Sequence, residues 1–296
     1  MSVTSDNIRK SFKESDDRRD AGLTTPANVE RYDDIVYGED AASQSLDVYR
    51  PKGTDGRLPV IVSVHGGGWV YGDKERYQYY CMSLVQHGFA VVNFTYRLAP
   101  EHKFPTAIED INAVFKFVLE NNEKYGFDTE HIFAVGDSAG AHQMGLYAVI
   151  CTNPEYAKRF DFAPPKGFAP TAVALNCGFY SGDAANMSDE LRKEMVPMMG
   201  EYLPNGGSAK ELEMIDVVKH ITEDFPPTLY MTSSHDFLKE QAPILGKKLL
   251  ECNVPHVFRF YGSAKNPLYH VFHCDMRLKE AYECNRDECE YFRSFL

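Results

Sequence analysis

From Asp34 onward the chain alternates short apolar runs with longer stretches in which apolar side chains recur every three or four positions. The runs are Leu46-Asp47-Val48-Tyr49, Pro59 to Val64, Phe89 to Tyr96, Ile132 to Val135, Thr171 to Leu175, Thr228 to Met231 and His256 to Tyr261. Several are nearly continuous in Val, Ile, Phe and Tyr, the composition of strands covered on both faces. Between them, Pro105 to Leu119 opens on proline and sets Ile108, Ile111, Phe115 and Val118 on one face, which predicts an amphipathic helix. Ser138 to Ile150 and Glu240 to Cys252 predict two more, the second with Leu245, Leu249 and Cys252 in register. Such alternation predicts an α/β fold, a mostly parallel central sheet with helices on both faces. The first strands follow one another too closely for helical crossovers, which predicts an antiparallel start.

Two stretches break this rhythm. Residues 1–33 are polar and mixed in charge, and predict one or two exposed helices. Residues 178–223 are polar, rich in Met and Gly, and carry no strand signal. An excursion of that length inside a domain is usually functional, and both segments are expected to form a lid over a site. No repeat or Gly/Ser linker divides the chain, so residues 1–296 are expected to form a single domain.

Composition narrows the function classes. At 296 residues and 44% hydrophobic, the chain can bury a large core. Its formal net charge of −12 makes nucleic acid and anionic membrane surfaces poor partners. The seven cysteines are odd in number and scattered, as in a reducing compartment. Met1 to Ala21 is highly charged, unlike a signal peptide, and no apolar run is long enough to span a bilayer. A cytoplasmic location is therefore expected.

The chemistry concentrates in two glycine-rich motifs. Gly136-Asp137-Ser138-Ala139-Gly140 follows the Ile132 strand and opens a helical pattern. That is the context of a nucleophile elbow, in which a serine is exposed on a strained turn and flanking glycines let strand and helix pass closely. His65-Gly66-Gly67-Gly68-Trp69 follows the Pro59 strand. Acyl transfer develops negative charge on a carbonyl oxygen, and backbone N–H groups aimed at that oxygen stabilise it. Gly66, Gly67 and Ala139 are the expected donors. A phosphate cradle would need Gly-Lys-Ser/Thr here, whereas Trp69-Val70-Tyr71 follows. Trp69 and Tyr71 are candidates to line the substrate pocket, or else to serve as core.

With Tyr96-Arg97-Leu98-Ala99-Pro100-Glu101-His102 and Phe104-Pro105 added, the sequence resembles the hormone-sensitive-lipase-like family of α/β-hydrolase esterases over roughly residues 34–273. The resemblance implies carboxylester hydrolysis without a cofactor, a lid of N-terminal and inserted helices, and a triad in the order Ser, Asp, His. Serine needs a base to take its proton, and the base a carboxylate to fix its tautomer. Asp236, just past the Thr228 strand, resembles the family's acid, followed two residues later by Leu238; Asp224 lies at the wrong end of that strand. Two histidines compete as base, His270 and His273. His270-Val271-Phe272 matches the family's His, small residue, Phe, with Val in place of the more usual Gly. The other histidine is expected to cap the last helix.

Structural duties are expected elsewhere. Asp137 is expected to brace the elbow and His65 to fix the glycine loop. Arg97, Glu101 and His102 should form a turn network holding that loop. His270, His273, Cys274, Cys284 and Cys289 suggest a metal cluster, but no tight C-x-x-C exists and Cys284 and Cys289 face apart on a helix, so no metal is expected. The function expected is hydrolysis of short-chain, acetyl-like esters, with a small-molecule ester as partner and a homodimer allowed. Two alternatives stay open, an arylformamidase-like amidohydrolase of the same fold and a non-catalytic small-molecule receptor.

Overall fold

The computed structural model describes residues 2–296. Eight strands form one sheet: β1 (Val29–Val36), β2 (Ser45–Pro51), β3 (Leu58–Val64), β4 (Ala90–Phe94), β5 (Phe127–Asp137), β6 (Ala172–Asn176), β7 (Thr228–Ser233) and β8 (His256–Tyr261). Their spatial order is β1-β2-β4-β3-β5-β6-β7-β8. β2 runs antiparallel to both β1 and β4, and every pair from β4 to β8 is parallel. The antiparallel start is as expected, but β3 and β4 are joined by a helix, Lys74–Val85, and are parallel. The continuous apolar runs of β3, β4 and β6 are explained by coverage from both sides, which leaves Val60 to Val64, Ala90 to Phe94 and Ala172 to Asn176 buried.

Helix Ala139–Thr152 is buried along Ala139 to Ile150, without a polar face. An all-round apolar helix belongs in a core, and this one lies beneath helix Thr106–Glu120, whose Ile108, Ile111, Val114, Phe115 and Val118 form a buried stripe. Phe115 stacks on Tyr147 at 5.0 Å between centroids. On the other face Phe292, from the C-terminal helix Lys279–Arg293, stacks on Phe133 at 4.7 Å.

The N-terminal segment forms one helix, Val3–Asp20, followed by β1, which lies across the expected change of character at Asp34. Residues 178–223 carry no strand, as expected, and hold the helices Asp189–Tyr202, Ala209–Met214 and Val217–His220. Their polarity is one-sided, because Leu191, Met195, Met198, Met199 and Tyr202 turn inward. Among the described residues no helix is long and apolar enough to cross a membrane.

The ends of β3 and β5 are bound together by close approach. A Cβ on Gly140 would stand 2.1 Å from the carbonyl oxygen of Val64, which is backbone and cannot yield cheaply. Gly140→Ala should therefore cost about 3 kcal/mol, the upper range for overpacking, measured as a lowered urea midpoint. An unchanged midpoint would mean that helix and strand are not tied at this point.

Candidate active site

The site is assembled at the carboxyl ends of the parallel strands, where an open α/β sheet offers its crevice. Ser138 ends β5 and heads helix Ala139–Thr152, with φ 53° and ψ −119°, a conformation almost closed to residues bearing a Cβ. Its N–H donates to Asn176 O on β6 at 2.9 Å, which holds the strained turn. The loops after β7 and β8 are stitched to each other: His235 N–H donates to Leu268 O at 2.8 Å, and Ser233 Oγ donates to Leu268 O at 2.9 Å. That pairing brings His270 over Asp236.

His270 Nε2 lies 2.9 Å from Ser138 Oγ, and His270 Nδ1 lies 2.6 Å from Asp236 Oδ1. Burial alone would raise the Asp236 carboxyl. The hydrogen bond and charge of His270, with Thr232 Oγ1 and the Leu238 N–H, outweigh it and hold the group below the usual carboxylate range. Asp236 is thus an ionised partner for an imidazolium.

His273, the rival base, is fully buried and edge-on to Tyr80 at 5.1 Å. Burial pushes its imidazole down to about 3. Its ring does not cap the last helix; Leu278 stands at that cap, and Asn285 Nδ2 donates to the main-chain oxygen of His273 at 3.2 Å. Val271, where the family more usually has Gly, adopts φ 50°. A β-branched residue in this region is strained, so the departure from the motif leaves strain beside His270.

The glycine loop departs from expectation by one residue. Gly66 N–H donates to Tyr77 Oη at 2.9 Å and is already satisfied, so the expectation that it serves as an oxyanion donor is corrected. Among the described residues no acceptor meets the N–H groups of Gly67 and Gly68. The N–H of Ala139, at the first position of its helix, has no intrahelical partner. Gly67 has φ 118°, and a Cβ there would stand 2.1 Å from Tyr71 O, so only glycine closes this turn. Tyr96 and Ala99 hold the loop: Tyr96 Oη donates to His65 O at 2.8 Å, its ring stacks on His65 at 4.0 Å, and Ala99 N–H donates to Trp69 O at 3.1 Å. Of the expected turn network, Arg97 instead pairs with Asp110 at 2.6 Å, and His102 makes a backbone bond to Leu98 O. Glu101 reaches the loop only through Arg9, which binds it at 2.6 Å and donates to Val70 O at 2.8 Å. His65 Nδ1 lies 2.8 Å from Gly66 O, and burial lowers the ring to about 4, leaving it neutral.

Beneath the serine lie two buried carboxyls gripped by tyrosines one turn apart on helix Lys74–Val85. Tyr77 Oη donates to Asp137 Oδ2 at 2.7 Å, and Tyr80 Oη donates to Glu288 Oε2 at 2.7 Å. Asp137 thereby ties the elbow to the glycine loop through Tyr77. Glu288 Oε1 accepts from Asn176 Nδ2 at 2.8 Å and so steadies the residue whose carbonyl holds Ser138. Burial raises Asp137 to about 6 and Glu288 to about 7.

The site opens into a cavity of about 210 Å³. Trp69 and Tyr71 both line it, with Phe179, Met195, Met198 and Leu238. Trp69 is buried; it stacks on Tyr202 at 4.9 Å and donates from Nε1 to His142 Nδ1 at 3.1 Å. Its rigidity shapes the wall. The segments expected as lids both contribute, Phe12, Ser15, Asp16 and Arg19 from the N-terminal helix and the two methionines from Asp189–Tyr202. Periodicity could have found the first set, which recurs at three, four and seven residues; Gly68 stood within the glycine motif without being singled out, and Tyr77, Asn176 and Glu288 left no sequence signal.

Two donor groups lie close enough to share an ion, Asp137 with His273 and Cys274, and Cys177 with Asp236 and His270. Burial raises both thiols well above the ordinary cysteine value. In the second group Asp236 and His270 already bind each other at 2.6 Å, and His270 also meets Ser138.

The BD-FAE family profile matches residues 46–249. The versiconal hemiacetal acetate esterase of Dothistroma septosporum is 36% identical over 75% of this chain and 70% of its own. Esterase LipC of Mycobacterium tuberculosis is 29% identical over 68% of this chain; the match spans only 50% of LipC. The crystal structure of inhibited esterase B from Lactobacillus rhamnosis superposes with a TM-score of 0.89 and 25% identity, covering 99% of this chain and 97% of that one. The chain belongs to the BD-FAE family, a hormone-sensitive-lipase-like esterase family with the α/β-hydrolase fold.

Glu288 makes folding sensitive to pH. Its folded value of about 7 stands above the ~4.3 of an unfolded chain. Between those values the folded state holds a proton that the unfolded state has lost, so stability is fullest at low pH and falls as pH rises through the window. A gap of about 2.7 pH units at ~1.4 kcal/mol each puts the effect on the order of 4 kcal/mol. Glu288→Gln should flatten the change in urea-unfolding free energy between pH 5 and pH 8. An equal slope in both proteins would assign the dependence to other groups.

Proposed function

We propose that this chain is a carboxylic ester hydrolase acting through an acyl-enzyme on Ser138, with His270 as base and Asp236 as the carboxylate that orients it. The observation that carries the reading is the continuous hydrogen-bonded line from Asp236 through His270 to Ser138, opening on a cavity beside N–H groups with no acceptor. His270 Nε2 takes the Ser138 proton as Oγ attacks the ester carbonyl carbon. The negative charge that develops on the carbonyl oxygen is met by the N–H groups of Gly67, Gly68 and Ala139, each such donor contributing roughly 3–4 kcal/mol. As the tetrahedral adduct collapses, His270 gives its proton to the departing alcohol. The same base then draws a proton from water as its oxygen attacks the acyl carbon; when that second adduct collapses, the bond to Ser138 Oγ breaks, His270 returns the proton to Oγ, and the acid is released. Asp236 stays ionised throughout, consistent with its depressed titration.

Short acyl groups fit best. The cavity holds about 210 Å³, and Met195, Met198 and the buried ring of Trp69 are among the apolar groups that line it. A family relative whose name specifies an acetate ester supports the same range.

Three substitutions test the chemistry with p-nitrophenyl acetate. Ser138→Ala should lower turnover by more than about 10³-fold, and His270→Ala by more than about 100-fold. His273→Ala, assayed where circular dichroism shows it folded, should keep turnover within about tenfold of wild type, because its ring does not reach Ser138. Full activity of Ser138→Ala would falsify the mechanism, and a larger loss at His273 than at His270 would reassign the base.

Chain length is tested separately, with p-nitrophenyl esters from acetate to laurate. The native protein should turn over the acetate and butyrate best. Met198→Ala should move the optimum to longer chains by removing side-chain volume from the cavity lining. An optimum already at laurate in the native protein would remove the short-chain assignment.

A further inference from the structure

Phe12, Ser15, Asp16 and Arg19 occupy one face of helix Val3–Asp20 and look onto the cavity of Ser138. Three of the four also line a second cavity of about 450 Å³, which shares His270 and Val271 with the first and continues past Tyr269 toward Asp275 and Glu280. None of the oxyanion-loop glycines borders this second space. The two cavities share Ser15, Asp16, Arg19, His270 and Val271 in their linings, and chemistry distinguishes them. A departing alcohol must leave from beside the ring that protonates it, while the carbonyl oxygen is held at the glycine loop. The alcohol side is therefore the space that His270 borders and the glycines do not.

The polar groups on that side are mainly acceptors. Arg19 is already engaged, by Asp16 at 3.0 Å and Asp20 at 2.8 Å, and by its donation to Arg76 O. Asp16 accepts from Tyr71 Oη at 2.9 Å through Oδ2, and a carboxylate oxygen has lone pairs for further donors. Asp275 and Glu280 add two more carboxylates, and Ser15 has a hydroxyl with no intramolecular partner among the described residues.

We propose that the second cavity receives the alcohol half of the ester, and that it selects alcohols bearing further hydrogen-bond donors, such as polyols, while rejecting those bearing a carboxylate. This inference rests on the ester-hydrolase reading and deepens it. The acyl half lies against the apolar wall of Met195, Met198 and Trp69, and the alcohol half lies along the polar face of the N-terminal helix. The preferred substrate is amphipathic, short and apolar at the acid, polar at the alcohol.

The test fixes the acyl group and varies the alcohol. With the full chain, kcat/KM is measured for p-nitrophenyl acetate, n-propyl acetate, glycerol 1-acetate and O-acetyl-lactate. Glycerol 1-acetate should exceed n-propyl acetate by about tenfold, the worth of one well-made hydrogen bond to a charged acceptor. O-acetyl-lactate should fall below n-propyl acetate by a similar factor. Asp16→Asn should raise the lactate-to-propyl ratio at least about threefold, and Ser15→Ala, which disturbs no internal contact, should lower the glycerol-to-propyl ratio; together they guard against one variant failing to fold. Good turnover of p-nitrophenyl acetate with n-propyl acetate equal to or better than glycerol 1-acetate overturns the alcohol assignment and leaves the esterase standing. No turnover of any ester overturns the esterase reading itself. Ratios unmoved in both variants remove the N-terminal helix from alcohol selection.

Discussion

The site depends on one close contact, the passage of the helix that begins at Ala139 across the end of β3. Gly140 comes so near Val64 that there is no space for even a methyl group. This approach forces Ser138 into a conformation that a residue with a side chain resists, and directs its Oγ out of the sheet. The cost is met locally and from below. Ser138 N–H is held by Asn176 O, the following helix is buried along Ala139 to Ile150, and Glu288 fixes the Asn176 side chain. The glycine loop is then positioned by the same contact, since β3 leads directly into it.

The three buried acids near the serine divide their work by environment. Asp236 sits where donors outnumber what burial takes away, and stays charged. Asp137 and Glu288 are each gripped by a tyrosine hydroxyl in surroundings where burial dominates, and both are pushed upward. Burial and donors thus pull the same kind of group in opposite directions, and their balance at each site sets the direction of its shift. The separation is made by neighbours, because Asp137 and Asp236 are the same residue type at the carboxyl ends of two strands of one sheet, with β6 between them.

This explains what the sequence made legible. Strands β3, β4, β6 and β7 stood out because burial on both faces demands uninterrupted apolar runs, whereas the edge strand β8 stood out by its aromatic and β-branched residues although Phe258 and Phe260 are exposed. The flanking strand β1 did not, since only Val29 of Val-Glu-Arg-Tyr-Asp-Asp-Ile-Val is buried and the others face outward or lie part-covered. Helix Lys74–Val85 escaped for the opposite reason: from Tyr80 to Val85 every residue is buried, so no polar stripe marks a period. The choice among Gly66, Gly67 and Gly68 could not be made from composition, because identical residues differ only in which N–H is already satisfied. A hydroxyl from Tyr77, eleven residues away, decides it. The pairing of His270 rather than His273 with Asp236 was legible through motif order, and its physical cause is the stitching of the β7 and β8 loops.

The catalytic line and the cavity walls are under separate control. Asp236, His270 and Ser138 hang from strand ends that the core fixes, while Met195, Met198, Asp16 and Arg19 come from segments laid over the sheet. The N-terminal segment is fastened in part by surface-accessible bonds, Arg9 to Glu101, Arg76 to Asp17, and Arg277 to the carbonyl of Ala21, whereas helix Asp189–Tyr202 is held by its buried face. Exposed ion pairs contribute little individually, so the walls can change residue by residue without loosening the elbow. Substrate choice in such a design resides in the segments laid over the sheet and reactivity in the strand ends. The tenfold discriminations expected of a polar alcohol need only one or two hydrogen bonds from that cover, well within what a lightly fastened helix can supply.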